Sequence, residues 1–191
     1  DPKVAQVAKQ FFHVKETPKH KIHFSDGRQF LWLNKTRRYD AILMDAYTSN
    51  QFGTHIPFHL ATKEFFRLAA EDLTEEGVLV FNVIGTYDDW RSDIVGSMYQ
   101  TLKSVFPNVY HFQASDTRNI VMLAVKSKEP LTSTTLKNKV AALRAARPKL
   151  PKSFGPRVAR IRAQAPKSAA NAGVLTDDFA PPGGLLKSKE R

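Results

Sequence analysis

The chain has 191 residues, 42% of them hydrophobic and 25% charged. That composition suits one ordinary globular domain with room for an appendage, and it excludes a wholly disordered or fibrous chain. Its longest apolar run, residues 77–84, is far short of the roughly 18 residues a membrane-spanning helix needs, and no signal peptide is recognisable. Cysteine is absent, which excludes a disulfide scaffold and thiolate metal sites and fits a reducing, cytoplasmic setting.

The charge is unevenly placed. The formal total is +11, from 29 Lys and Arg against 18 Asp and Glu, yet residues 1–125 hold 14 of each sign. The excess therefore lies in residues 126–191, with 15 basic and 4 acidic side chains and 7 of the 11 prolines. The shift marks a boundary near residue 130: a globular part over 1–130, then a basic, Pro- and Ala-rich extension over 131–191.

Asp1 and Pro2 read as an N-cap followed by proline in the first helical turn, with Val4, Val7, Ala8, Phe11 and Phe12 on one helical face. A helix opening at the first residue suggests an N-terminally truncated chain, because a strand normally feeds such a cap. Ile22, His23 and Phe24 form a short strand candidate that ends at Asp26 and Gly27. Residues 28–34 suggest a short helix. Residues 41–44 form a continuous apolar run before Asp45, as expected of a parallel strand buried on both faces. A polar loop is expected over residues 47–57. Phe65, Phe66, Ala69, Ala70 and Leu73 then line a helix that stops near Gly77. Residues 78–84 are the next strand, and Trp90, Ile94, Met98, Leu102 and Val105 stripe another helix, for which Thr86 to Asp89 form a capping box. Residues 109–112 and 120–125 suggest an antiparallel pair turning near Ser115 and Asp116. Alternating strands and helices predict an α/β sheet, in which ligands bind beyond the carboxyl ends of the strands. Those ends carry Asp26-Gly27, Asp45-Ala46-Tyr47 and residues 85–88, an acidic rim suited to a cationic or hydroxyl-rich ligand.

Four stretches in order, DGRQFL from Asp26, YDAILMD ending at Asp45, LATKEFF from Leu60 and GVLVFN from Gly77, resemble the spermidine/spermine synthase family of polyamine aminopropyltransferases. Residues 175–181, LTDDFAP, resemble the C-terminal signature of its spermidine-synthase-like branch. The resemblance implies an α/β, class I methyltransferase-like Rossmann fold. It also implies a single-displacement transfer of an aminopropyl group from decarboxylated S-adenosylmethionine to a small-molecule amine, with no metal. In that scheme Asp45 is the catalytic carboxylate that orients and deprotonates the attacking amine. Asp26 and Gly27 meet the adenine of the nucleoside, and Pro57 lies beside it. Tyr47, Thr48, Asp177 and Asp178 are expected to line the substrate side.

Two departures from the family pattern stand out. Thr48 occupies the position where a second acid would bind the distal amine, so putrescine is not the assured acceptor. The glycine-rich loop and the first two strands would precede Asp1, so the fold is expected to be incomplete at the N-terminus, and the chain expressed alone poorly folded and inactive. Two alternatives remain: a methyltransferase using S-adenosylmethionine on a small molecule, and a non-catalytic remnant that binds partners. A homo-oligomer is possible, a nucleic-acid partner is not expected, and no membrane segment is read.

Among the histidines, His55 and His59 have i, i+4 spacing, but the intervening Pro57 argues against a metal-binding helix. His20 and His23 are expected to face solvent. The Phe11-Phe12 and Phe65-Phe66 pairs are expected in the core. Leu136, Val140 and Leu143 predict one more helix, ending at Pro148. Residues 148–173, with six basic side chains, no acids and four prolines, are expected to wrap over the domain as a solvated, partly disordered extension.

Overall fold

The computed structural model describes residues 1–51, 53–88, 92–114 and 118–179. Asp89 and Trp90, the expected turn at Ser115 and Asp116, and the end of the LTDDFAP stretch lie outside the described residues. In chain order the elements are helix α1 (Pro2–Phe11), helix α2 (Gly27–Leu33), strand β1 (Tyr39–Met44), strands β2 (Thr48–Asn50) and β3 (Gly53–His55), and a 3-10 turn at Phe58–Leu60. They continue with α3 (Lys63–Asp72), β4 (Leu73–Ile84), α4 (Ser92–Lys103), β5 (Asn108–Gln113), β6 (Asn119–Val125), α5 (Ser133–Ala146), α6 (Phe154–Val158) and a second 3-10 turn at Lys167–Asn171.

Local chemistry accounts for most helix starts. Asp1, Asp26, Thr62 and Thr132 each turn a side-chain oxygen back onto a first-turn amide, at Lys3, Gln29, Phe65 and Thr135 respectively. The central sheet has the order β1-β4-β6-β5. β1 and β4 are parallel, with α3 in the connection, whereas β4–β6 and β5–β6 are antiparallel. This mixed α/β sheet confirms the expected fold class and the expected pairing of the last two strands. Leu79, Phe81 and Val83 alternate onto the buried face of β4, where Phe81 meets the fully buried Phe66 of α3 edge-on at 5.8 Å.

Four expectations are corrected. Residues 22–24 form no strand, because no described strand lies beside them to complete a ladder. β1 is not buried on both faces: it is the edge of the sheet, and Leu43 is 73% exposed. Of α1 only Ala5 is buried, so Val4, Val7, Phe11 and Phe12 form an exposed apolar face while Phe65 and Phe66 occupy the core. The loop over residues 47–57 contains the β2–β3 hairpin, closed through Thr48 opposite His55, which its polar composition concealed.

The basic extension does wrap over the domain, and with more order than its composition suggested. Arg162 exchanges both backbone hydrogen bonds with His111 on β5, at 3.0 and 2.9 Å. His111 is itself buried. Its Nε2 donates to the Gln164 carbonyl at 2.7 Å, which leaves Nδ1 to accept from the Tyr87 hydroxyl, also at 2.7 Å. Tyr99 packs edge-on against the imidazole and the Arg162 guanidinium lies 4.9 Å from the centre of the Tyr87 ring. Farther along, Gln100 of α4 donates to the Ala169 carbonyl at 2.7 Å. The backbone of Gly96 approaches so closely that a Cβ there would meet the Ser168 carbonyl oxygen at 2.5 Å.

Two outcomes follow from these contacts. Burial pushes the His111 imidazole below its ordinary 6.5, with the Arg162 charge adding to the effect against the opposing bond to Gln164. The unfolded chain therefore takes up the proton first, so stability is complete above about pH 6.5 and declines as pH falls toward the folded-state value. Thermal melts between pH 8 and 5 are expected to show that decline in the wild type and a flatter profile in His111→Gln. Gly96→Ala is expected to lower stability by about 1–3 kcal/mol through overpacking, with faster proteolysis confined to residues 165–173, measured by denaturant titration and limited digestion.

Candidate functional site

Parallel pairing sets the first part of the site. Met44, the last residue of β1, lies opposite Phe81 in the β1–β4 ladder, so Asp45, just past the carboxyl end of β1, stands beside Asn82, which lies two residues before the end of β4. Asn82 Nδ2 donates to Asp45 Oδ1 at 2.9 Å. The Asp45 side chain is exposed rather than packed away, which leaves its other oxygen open. The Tyr47 hydroxyl donates to the Asn82 carbonyl. Burial, reinforced by the nearby Asp45 charge, pushes the Tyr47 phenol up to about 12. The phenol is therefore a neutral donor throughout the physiological range. Thr48 is exposed and opens β2. On the next rim segment Tyr87 is turned to His111, while Asp88 is exposed.

A second cluster surrounds the start of α2. Asp26 caps the helix through Oδ1, accepting from the Gln29 amide at 3.0 Å, and its Oδ2 lies 2.7 Å from His59 Nε2. Burial acts against ionisation of Asp26, but the bonds from Gln29 and His59 together hold its carboxyl below the ordinary value. Gly27, the first residue of α2, has open space where a side chain would stand. Pro57 is half-buried and directs the chain into the 3-10 turn that carries His59.

Arg28 grips Asp177 with both terminal nitrogens, at 2.8 and 2.6 Å, and also donates to the His59 carbonyl at 3.2 Å. Asp177 accepts from Thr62 Oγ1 at 2.7 Å as well. The Arg28 guanidinium first, and the Thr62 hydroxyl with it, hold the Asp177 carboxyl below its ordinary value against the effect of burial. Asp178 is exposed. An open groove of about 680 Å³ runs along this cluster, lined by Asp26, Arg28, Gln29, Trp32, Glu64 and Leu68.

The structure thus gathers Asp26, Gly27 and Asp177 around Arg28 and His59, and places Asp45, Tyr47 and Thr48 around Asn82. The β2–β3 hairpin and Pro57 join the two groups along the chain. Sequence reasoning named neither Asn82, His59 nor Arg28 as site residues. Asn82 did carry a signal, since it is the one polar residue within the apolar run of residues 78–84, near the ligand-facing end of a strand. His59 and Arg28 carried none, because their partners lie 33 and 149 positions away.

No protein-family model matches the chain. It is 32% identical over 133 residues to a polyamine aminopropyltransferase of Vibrio vulnificus, an alignment covering 68% of this chain and 42% of that protein. A probable polyamine aminopropyl transferase of Bifidobacterium longum is also 32% identical, over 108 residues, covering 56% of this chain and 22% of that one. These two likenesses support a spermidine synthase-like family for the chain. The chain spans less than half the length of these relatives. Among solved structures, a probable spermidine synthase from Corynebacterium glutamicum superposes with a TM-score of 0.64 at 18% identity, over 94% of this chain and 62% of that one. Human methyltransferase-like protein 13, solved in complex with SAH, gives 0.67 at 23% identity, over 81% and 72%. At such identities the likeness is one of fold, a methyltransferase-like Rossmann arrangement shared with spermidine synthases. Among the described residues, no helix of this spermidine synthase-like chain is long and apolar enough to cross a membrane.

The Tyr47 assignment is open to direct measurement. Ultraviolet titration of tyrosinate is expected to show one group ionising near pH 12, and Tyr47→Phe is expected to remove that component. The same substitution is expected to destabilise the fold by about 1 kcal/mol, the usual worth of one hydrogen bond.

Proposed function

We propose that this chain carries the amine-activating half of a polyamine aminopropyltransferase site, with Asp45 as general base. The observation that supports the reading is the placement of Asp45 at the carboxyl end of a parallel strand, exposed, with Asn82 fixing one oxygen. A protonated amine has no lone pair with which to attack. Asp45 Oδ1 is held by Asn82, so Oδ2 receives the ammonium, orients its nitrogen and accepts its proton as the new C–N bond forms. Tyr47 stays un-ionised, fixes the Asn82 backbone and adds no competing charge.

The nucleoside side is read from Asp26, Gly27 and Pro57. The Asp26 carboxylate takes bonds from the Gln29 and Arg28 amides and from His59, and its two oxygens offer about four acceptor positions, so acceptor capacity remains for an adenine amino group. Gly27 leaves the adjoining space open. These features fit decarboxylated S-adenosylmethionine, which supplies an electrophilic carbon whose sulfonium leaves as a neutral thioether. Thr48 offers a hydroxyl where a second carboxylate would grip a distal ammonium. The acceptor is therefore an amine recognised chiefly at its reacting nitrogen.

A full-length protein that contains this chain, incubated with decarboxylated S-adenosylmethionine and a panel of mono- and polyamines, is expected to release methylthioadenosine and an aminopropylated amine. Asp45→Asn is expected to lower turnover by about 10²–10⁴-fold, the range for loss of a positioned general base, with little change in nucleoside affinity. Undiminished turnover in that variant would remove Asp45 from the chemistry.

A further inference from the structure

The Arg28–Asp177 pair does more than hold down the end of the extension. Residues 175–179 meet the α2–α3 groove at two of its lining residues, Arg28 and Glu64, through Asp177. Leu175 is buried, its carbonyl accepts from the Lys63 amide at 2.9 Å and its amide donates to Thr101 Oγ1 at 3.0 Å. The Asp177 amide donates to Glu64 Oε2 at 3.0 Å, and Thr176 and Phe179 close a short turn around it. The Asp177 carboxylate thus reaches Arg28 from a segment anchored on both α3 and α4.

From Arg28 the contacts continue inward. One guanidinium nitrogen that binds Asp177 also binds the His59 carbonyl, and the His59 imidazole holds Asp26 Oδ2. Arg28 has no comparable freedom to choose another rotamer while both of its terminal nitrogens are occupied by one carboxylate, because the fork geometry fixes the guanidinium plane. Each link is a side chain with a defined partner, from the C-terminal segment to the acid at the start of α2. Three bonds, two from Arg28 and one from Thr62, fix the orientation of the Asp177 carboxylate, which suits it to this task.

We propose that Asp177 is a positioning residue: through the chain Asp177–Arg28–His59–Asp26 the C-terminal segment sets the orientation of the Asp26 carboxylate toward its ligand. The ligand-binding consequence rests on the nucleoside role proposed for Asp26, whereas the mechanical link does not. In an unanchored extension Arg28 would swing into solvent, the 3-10 turn would lose a bond at His59, and Asp26 would keep only its helix-capping partners. The extension is thereby part of the site's construction, and it couples occupancy of the groove to docking of residues 175–179.

The test uses the whole chain and two readouts. The His59 ring resonances, assigned with His59→Gln, report the link by proton NMR, and calorimetric titration with methylthioadenosine reports its consequence. Asp177→Asn and, from the other end, Arg28→Gln are each expected to shift the His59 resonances and to weaken methylthioadenosine binding by about tenfold. The double variant is expected to be no worse than either single one, as for residues acting through one contact. Arg28→Lys, which keeps the charge but not the fork, is expected to resemble Arg28→Gln. Unchanged His59 resonances in Asp177→Asn and Arg28→Gln variants of native circular dichroism would overturn the proposal. Shifted resonances with wild-type affinity would overturn its ligand-binding part. If the wild type binds no methylthioadenosine, the nucleoside reading fails, and the resonance shifts alone decide the mechanical link.

Discussion

The parallel pairing of β1 with β4 is the constraint on which the candidate chemistry depends. The pairing register places Met44 against Phe81, and β1 ends there while β4 runs on to Ile84, so that Asp45 and Asn82 meet as neighbours from positions 37 residues apart. A shift of one residue would turn Asn82 to the other face of the sheet and leave the carboxylate without its orienting partner. What prevents the shift is burial: Leu79, Phe81 and Val83 are essentially inaccessible, and a slip would carry all three out of the core. The energy that sets the geometry of an exposed acid therefore comes from apolar side chains that never touch a ligand.

The extension is held by a different kind of interaction. Its composition is that of a segment unable to build a core, and α5 indeed buries none of its residues. The part beyond residue 160 is ordered instead by hydrogen bonds to groups the domain already presents: the edge of β5, the imidazole of His111, Gln100 of α4 and the Arg28 fork. Two of these are buried or closely packed, where an unmade hydrogen bond costs more than a made one contributes. Docking is consequently specific in register even though little apolar area beyond Leu175 and Ala169 is buried by it. Among the basic side chains that dominate the composition, Arg162 adds to this fit by lying over the Tyr87 ring.

The N-terminal segments are organised differently. α1, the extended residues 22–24 and the edge strand β1 leave Val4, Phe11, Phe12, Phe24 and Leu43 more than half exposed. Amphipathic periodicity correctly marks which face of a helix is apolar, but it contains no term for what lies against that face. The same pattern therefore describes the buried Phe65 and Phe66 and the exposed Phe11 and Phe12.

The sequence by itself determined the elements whose cause is local: the capped helix start at Asp1, the apolar runs at residues 41–44 and 78–84, and the antiparallel pair formed by β5 and β6. It also marked the strand-end acids and the family motifs around them, because strand period, cap chemistry and turn residues act over a few positions. Only the tertiary structure decided that β1 is an edge, that a hairpin occupies the polar loop, that His59 holds Asp26, and that Asp177 is bound by Arg28. Those outcomes depend on which distant segment arrives beside each residue. That choice is settled by the packing of the whole chain, where burial is shared among many side chains and no short stretch records the result.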